Sequence, residues 1–177
     1  MKDFISVLFS SFALYALASG AAVKAAATAA TKATAITKGA TTIVMKEVGG
    51  IAGNECLTFR NNGEMVDAAC VNTAADRQVT ASTSASGADI LLVQRTFTAE
   101  FRPDLVSAQA CVGFNGTTFK AVDCAGADFQ AVSLVGGQLT SGTACQSGHD
   151  SAAQLTVDTT GKKCVSVTTT NVAASTT

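Results

Sequence analysis

The sequence predicts an all-β fold, a compact disulfide-stapled sandwich or barrel, behind a signal peptide and a low-complexity leader. Three observations carry that expectation. Six cysteines, Cys56, Cys70, Cys111, Cys124, Cys145 and Cys164, all lie downstream of residue 50. Short β-branched and apolar runs there alternate with turns rich in Gly, Asn and Ser, the pattern of all-β domains. Finally, a segment is repeated. "ECLTFRNNGEMVDAAC" (Glu55 to Cys70) is echoed by "ACVGFNGTTFKAVDC" (Ala110 to Cys124). Each copy has a cysteine, an apolar stretch, an Asn-Gly pair, a second apolar run and another cysteine.

Residues 1–20 have the anatomy of a secretory signal peptide: Lys2, an apolar run from Phe4 to Ala18, and the small-x-small pattern Ala16-Leu17-Ala18. The run falls short of the roughly 20 residues of a spanning helix, and no later stretch reaches that length, so no membrane span is expected. Residues 21–49 are mostly alanine, threonine and lysine, without a repeating stripe of large apolar residues. They read as a flexible or loosely helical leader, a pro-segment or an O-glycosylated spacer. Lys24, Lys32, Lys38 and Lys46 face only Glu47 in this stretch, whereas residues 50–177 hold seven basic and eleven acidic side chains. Four dispersed lysines are a solvated tail rather than the dense cluster that nucleic acid requires, so no nucleic-acid partner is expected.

The domain proper is expected over residues 50–172, long enough to bury about two-thirds of its unfolded surface around one core. Asn62-Gly63 and Asn115-Gly116 are hairpin signals. A hairpin with a cysteine at each outer end brings the two sulfurs together, which favours Cys56–Cys70, Cys111–Cys124 and, by analogy, Cys145–Cys164. Loops of about 15 residues closed in this way stabilise by roughly 3 kcal/mol each. Ile90 to Val93 reads as a buried strand. Thr96 to Phe101 alternates until Arg102-Pro103-Asp104 ends it, and residues 173–177 read as a frayed end. "KKCVSV" around Cys164 looks like a third copy of "CLTF", a hint of threefold organisation.

The half-repeat "CLTFRNNG…VDAACVNTAADRQV" resembles the unit of ricin-type lectins, in which a Cys-Leu strand, a second cysteine and a Gln-x-Trp motif recur three times. Gln78, Gln130 and Gln154 occupy the glutamine position, and no tryptophan follows any of them. The resemblance implies a β-trefoil form of the barrel and a carbohydrate-binding module. The general plan of signal, Ala/Thr leader and six-cysteine body also resembles small secreted cysteine-rich proteins of fungi, which implies an extracellular or cell-wall location.

No catalytic constellation is expected. His149 is the single histidine, and "HDS" (His149 to Ser151) cannot form a triad because neighbouring strand residues face opposite ways. Its polar surroundings suggest a solvated imidazole. The pairs Asp67 with Asp123 and Asp76 with Asp128 could serve glycoside hydrolysis, but repeat symmetry and turn formation account for them. Without a C-x-x-C, and with one histidine, no metal site or cofactor is expected. Asn115-Gly116-Thr117 is a glycosylation sequon on a predicted hairpin tip. Most of the phenylalanines outside the signal should be core. The chain therefore reads as a secreted, non-catalytic protein acting by surface interaction with an extracellular protein or polysaccharide. A carbohydrate-binding module is the alternative, and a small hydrolase or enzyme inhibitor the third choice.

Overall fold

The structure is a computed structural model and describes residues 35–175. The predicted signal peptide and the leader as far as residue 34 lie outside the described residues. Among the described residues are thirteen strands: β1 (Thr37–Glu47), β2 (Glu55–Phe59), β3 (Met65–Ala69), β4 (Gln78–Thr83), β5 (Asp89–Val93), β6 (Ala110–Phe114), β7 (Phe119–Asp123), β8 (Gln130–Ala131), β9 (Ser133–Val135), β10 (Gln138–Ser141), β11 (Ala144–His149), β12 (Leu155–Asp158) and β13 (Val167–Val172). Two 3₁₀ turns, Ala75–Arg77 and Pro103–Leu105, complete the regular structure.

The strands form three antiparallel sheets. A seven-stranded sheet runs β13-β1-β4-β5-β6-β7, with β8 also paired to β6. A four-stranded sheet runs β12-β11-β10-β9, and β2 with β3 makes a separate hairpin. All three contribute to one core: Met45, Val79, Leu91 and Val112 from the first, Leu139, Ala144 and Leu155 from the second, and Leu57, Phe59 and Met65 from the hairpin. The arrangement is sandwich-like and does not close, so the barrel alternative gives way.

The two repeated segments are hairpins. In β2–β3 the register pairs Cys56 with Ala68 and Leu57 with Asp67, and Gly63 (φ 85°) donates its N–H to the Arg60 carbonyl in the turn. In β6–β7 the Asn115 side chain accepts from the Thr117 and Thr118 N–H groups, with Gly116 at φ 97°. Disulfides join Cys56 to Cys70, Cys111 to Cys124 and Cys145 to Cys164. The third loop differs in kind. Cys145 sits on β11, but Cys164 follows the irregular stretch after β12 and begins no strand.

The largest departure from the sequence expectation is β1. Residues 37–47 were expected to be leader, yet they form an eleven-residue strand between β4 and β13. Its Thr42, Ile43, Val44 and Met45 are all buried, because sheet neighbours on both edges and packing on both faces override a weak local signal. Its outer half bulges against β4 at Gly39, where a Cβ would lie 1.9 Å from the Ala81 carbonyl oxygen, so only glycine fits. Of the end expected to fray, residues 173–175 are described and are tied to the sheet, and residues 176–177 lie outside the described residues. Gln78, fully buried, donates to the Ala173 carbonyl at 3.2 Å and accepts from the Ser175 N–H at 2.7 Å. That is the role of the glutamine matched above to the lectin motif.

Candidate functional site

The three sheets meet at a cluster of polar side chains. Along β1, Ile43, Met45 and Glu47 share one face by strand alternation, and Ile43 and Met45 belong to the core. Glu47 therefore projects inward and is buried. On the hairpin, Asp67 lies opposite Leu57 and two residues from Met65, both core residues, so its carboxylate also points inward, with a side chain 1% exposed. β11 supplies Gln146 and His149. Three residues apart on a regular strand, these would face opposite sides, but the pairing with β12 shifts between Gln146 and Gly148. The bulge turns both side chains toward Glu47, and Gly148 adopts φ 119° to make it.

The contacts are close. Gln146 Nε2 donates to Glu47 Oε2 at 2.8 Å, while His149 Nδ1 lies 3.2 Å from Glu47 Oε1 and 3.4 Å from Asp67 Oδ2. Among the described residues neither oxygen of Asp67 has a hydrogen-bond partner, and Gln146 Oε1 is likewise buried and unpartnered. Burial, then the nearby Glu47 charge, push the Asp67 carboxyl above its ordinary range, with His149 pulling the other way. The turn after β11 secures the arrangement from outside. Ala153, a non-glycine residue held at φ 62°, accepts the Asp67 N–H with its carbonyl at 2.9 Å. A residue in that conformation stores strain and is typical of functional sites. One ligand atom from each of Glu47, Asp67 and His149 falls within 4.8 Å of the others, a constellation able to hold a metal ion.

His149 is thus not the solvated imidazole expected from sequence. Its side chain is 24% exposed and wedged between two acids. "HDS" does not assemble: Asp150 Oδ1 instead accepts the Ala152 and Gln154 N–H groups and shapes the turn. Nor are Asp67 and Asp123 equivalent, since Asp123 caps a turn through the Ala125 N–H. Asp76 pairs with Arg77, and Asp128 is exposed. Sequence reasoning missed Glu47 and Gln146 altogether. The signal was present in "IVMKE", where an acid continues the apolar side of an alternating run.

A second feature is a cleft of about 590 Å³ beside the β2–β3 hairpin. It is lined by Thr58, Arg60, Asn61, Asn62, Asp76 and Arg95, among others, and by Phe101, which is 45% exposed. Arg95 forms one wall: it donates to the Phe59 carbonyl and to Asn61 Oδ1, and its guanidinium stacks 4.9 Å from the centre of the Phe97 ring. Phe59, Phe97, Phe114 and Phe119 are core, in line with expectation, Phe129 is half-buried, and Phe101 is open to solvent. Asn115 is exposed at its hairpin tip. Among the described residues no helix is long and apolar enough to cross a membrane.

Comparison with protein-family models, with curated proteins and with solved structures returned no match.

Proposed function

We propose that this is an extracellular, non-catalytic protein that acts by surface contact, and that the cleft beside Phe101 is its contact surface. Three disulfides suit an oxidising, extracellular setting. The observation that carries the reading is Phe101: a half-exposed ring on a protein whose other large aromatics are mostly buried, set among carboxamide, guanidinium and carboxylate groups. An apolar ring face with planar hydrogen-bonding groups around it matches a sugar ring, which has C–H faces and a rim of hydroxyls. A cell-wall or matrix polysaccharide is therefore the ligand class this cleft favours, over a protein partner. The support comes from the cleft's chemistry and owes nothing to a trefoil.

A glycan array probed with the full-length chain tests this. Binding to a defined polysaccharide is expected, with Phe101→Ala weakening it at least about tenfold while the fold is kept, the scale of one lost aromatic anchor. Uniform silence across the array would remove the carbohydrate reading. Glycosylation of Asn115 belongs to the same extracellular picture, and a mass shift lost in Asn115→Gln would register it.

A further inference from the structure

We infer that Glu47, Asp67 and His149 form a binding site for one divalent transition-metal ion of the zinc type. This does not rest on the ligand of the cleft, although Asp67 is also among the residues that line it. The first support is spacing. In a tetrahedral zinc site with bonds of about 2.0–2.1 Å, neighbouring ligand atoms lie about 3.3 Å apart. His149 Nδ1 lies 3.2 Å from Glu47 Oε1 and 3.4 Å from Asp67 Oδ2, so the imidazole nitrogen already stands at that separation from both carboxylates.

The second support is an unmet electrostatic demand. Asp67 is buried, and neither of its oxygens is hydrogen-bonded. Buried carboxylates without partners are costly, and two facing each other are costlier. A proton on His149 cancels one negative charge of two. A dication cancels both while the imidazole stays neutral, leaving its Nδ1 lone pair to bind. The ligand set also selects the ion. One nitrogen with two carboxylates suits zinc or its neighbours, whereas calcium takes six to eight oxygens and magnesium holds its waters in strict octahedral geometry.

The surroundings complete the site. Gln146 donates to Glu47 Oε2 at 2.8 Å and so orients the carboxylate with Oε1 toward the histidine, the role of an outer-shell partner. Ala153 fixes the Asp67 backbone through its strained turn. Partial exposure of His149 gives the ion a route in and leaves a position for water. Binding exchanges any proton on Nδ1 for the metal and releases it to solvent.

Isothermal titration of the EDTA-stripped full-length chain with zinc chloride, alongside metal analysis and thermal melts, tests the site. One zinc per chain is expected, with a melting temperature that rises as zinc is added. Asp67→Asn and His149→Gln should each weaken binding by more than the roughly 10–100-fold that loss of a supporting residue costs. His149→Gln keeps an N–H donor beside Glu47 should Asp67→Asn fail to fold. Absence of saturable binding to the folded wild-type chain would overturn the inference, leaving an imidazole packed between two acids as the whole content of the cluster. So would stoichiometric binding that persists unchanged in either folded variant.

Discussion

Asp158 and Asp67 occupy strands of the same small domain and are treated in opposite ways. Asp158, at the end of β12, is half-buried and fully engaged. Its Oδ1 accepts the Thr160 N–H and hydroxyl, and its Oδ2 the Lys162 and Lys163 N–H groups. Those bonds, the Thr160 hydroxyl foremost, hold its pKa down to about 2. Asp67 is buried, accepts no hydrogen bond, and is pushed upward. The first carboxylate is spent on the loop that leads to Cys164. The second retains its coordinating capacity at a site where retaining it is costly, and that contrast separates a structural acid from one held ready for a ligand.

The largest effect should come from taking away the imidazole that stands between Asp67 and Glu47. In chelator at neutral pH, His149→Ala leaves two buried carboxylates facing each other and should cost about 3–5 kcal/mol in urea unfolding, the scale of breaking a buried ion pair from one side. A loss under about 1 kcal/mol would mean that water reaches these acids and that the burial argument fails. Next in size is Asp67→Asn, which removes one of the two buried acids, the one whose oxygens accept no hydrogen bond, and leaves a carboxamide able to donate to Glu47. In chelator it should raise stability by about 1–3 kcal/mol. With zinc present the order of wild type and variant should reverse. A variant less stable than wild type under both conditions would assign Asp67 an ordinary structural role.

What was legible in advance and what was not follows from what each feature depends on. Local features were legible. The Asn-Gly turns and the cysteines flanking them specify β2–β3 and β6–β7 within about fifteen residues of chain, and the same logic indicates the disulfide partners found. The site depends on placement across the whole fold. Glu47 lies in a segment whose Ala, Thr and Lys composition reads as leader, and it becomes a central strand only through pairing with β4 and β13. His149 faces the acids because of a bulge that alternation does not anticipate. Asp67, singled out from sequence, was paired by repeat symmetry with Asp123. The β2–β3 hairpin stands apart as its own sheet while β6–β7 belongs to the large one. Asp67 pairs with Leu57, one residue after Cys56, whereas Asp123 pairs with Ala110, one residue before Cys111, so the two acids are not equivalent in the register and meet different neighbours.

On the Asp158 side of the comparison the effects are smaller and local. Gly161 lies in the loop that this carboxylate organises, at φ 69°, where a Cβ would come within 2.7 Å of the Thr143 carbonyl oxygen. Gly161→Ala should cost about 1–2 kcal/mol through left-handed strain, read as a shift of the urea midpoint at unchanged slope. A neutral result would mean that the loop relaxes freely and that Asp158 caps a structure of little consequence.

Asp158→Asn is expected to give the smallest change at neutral pH and the most specific one in acid. The folded pKa lies below the ordinary value of 3.8. The stability that ionised Asp158 supplies is therefore complete above about 3.8, where the unfolded chain also ionises. It is lost as pH falls through about 2. Wild type should lose stability across that window relative to the variant, whose carboxamide does not titrate. Unfolding curves at pH 5 and pH 2 measure the difference: a gap between wild type and Asp158→Asn that closes on acidification is the expected result. An unchanging gap would show that the four hydrogen bonds do not discriminate between a carboxylate and an amide, removing the physical basis for contrasting this aspartate with Asp67.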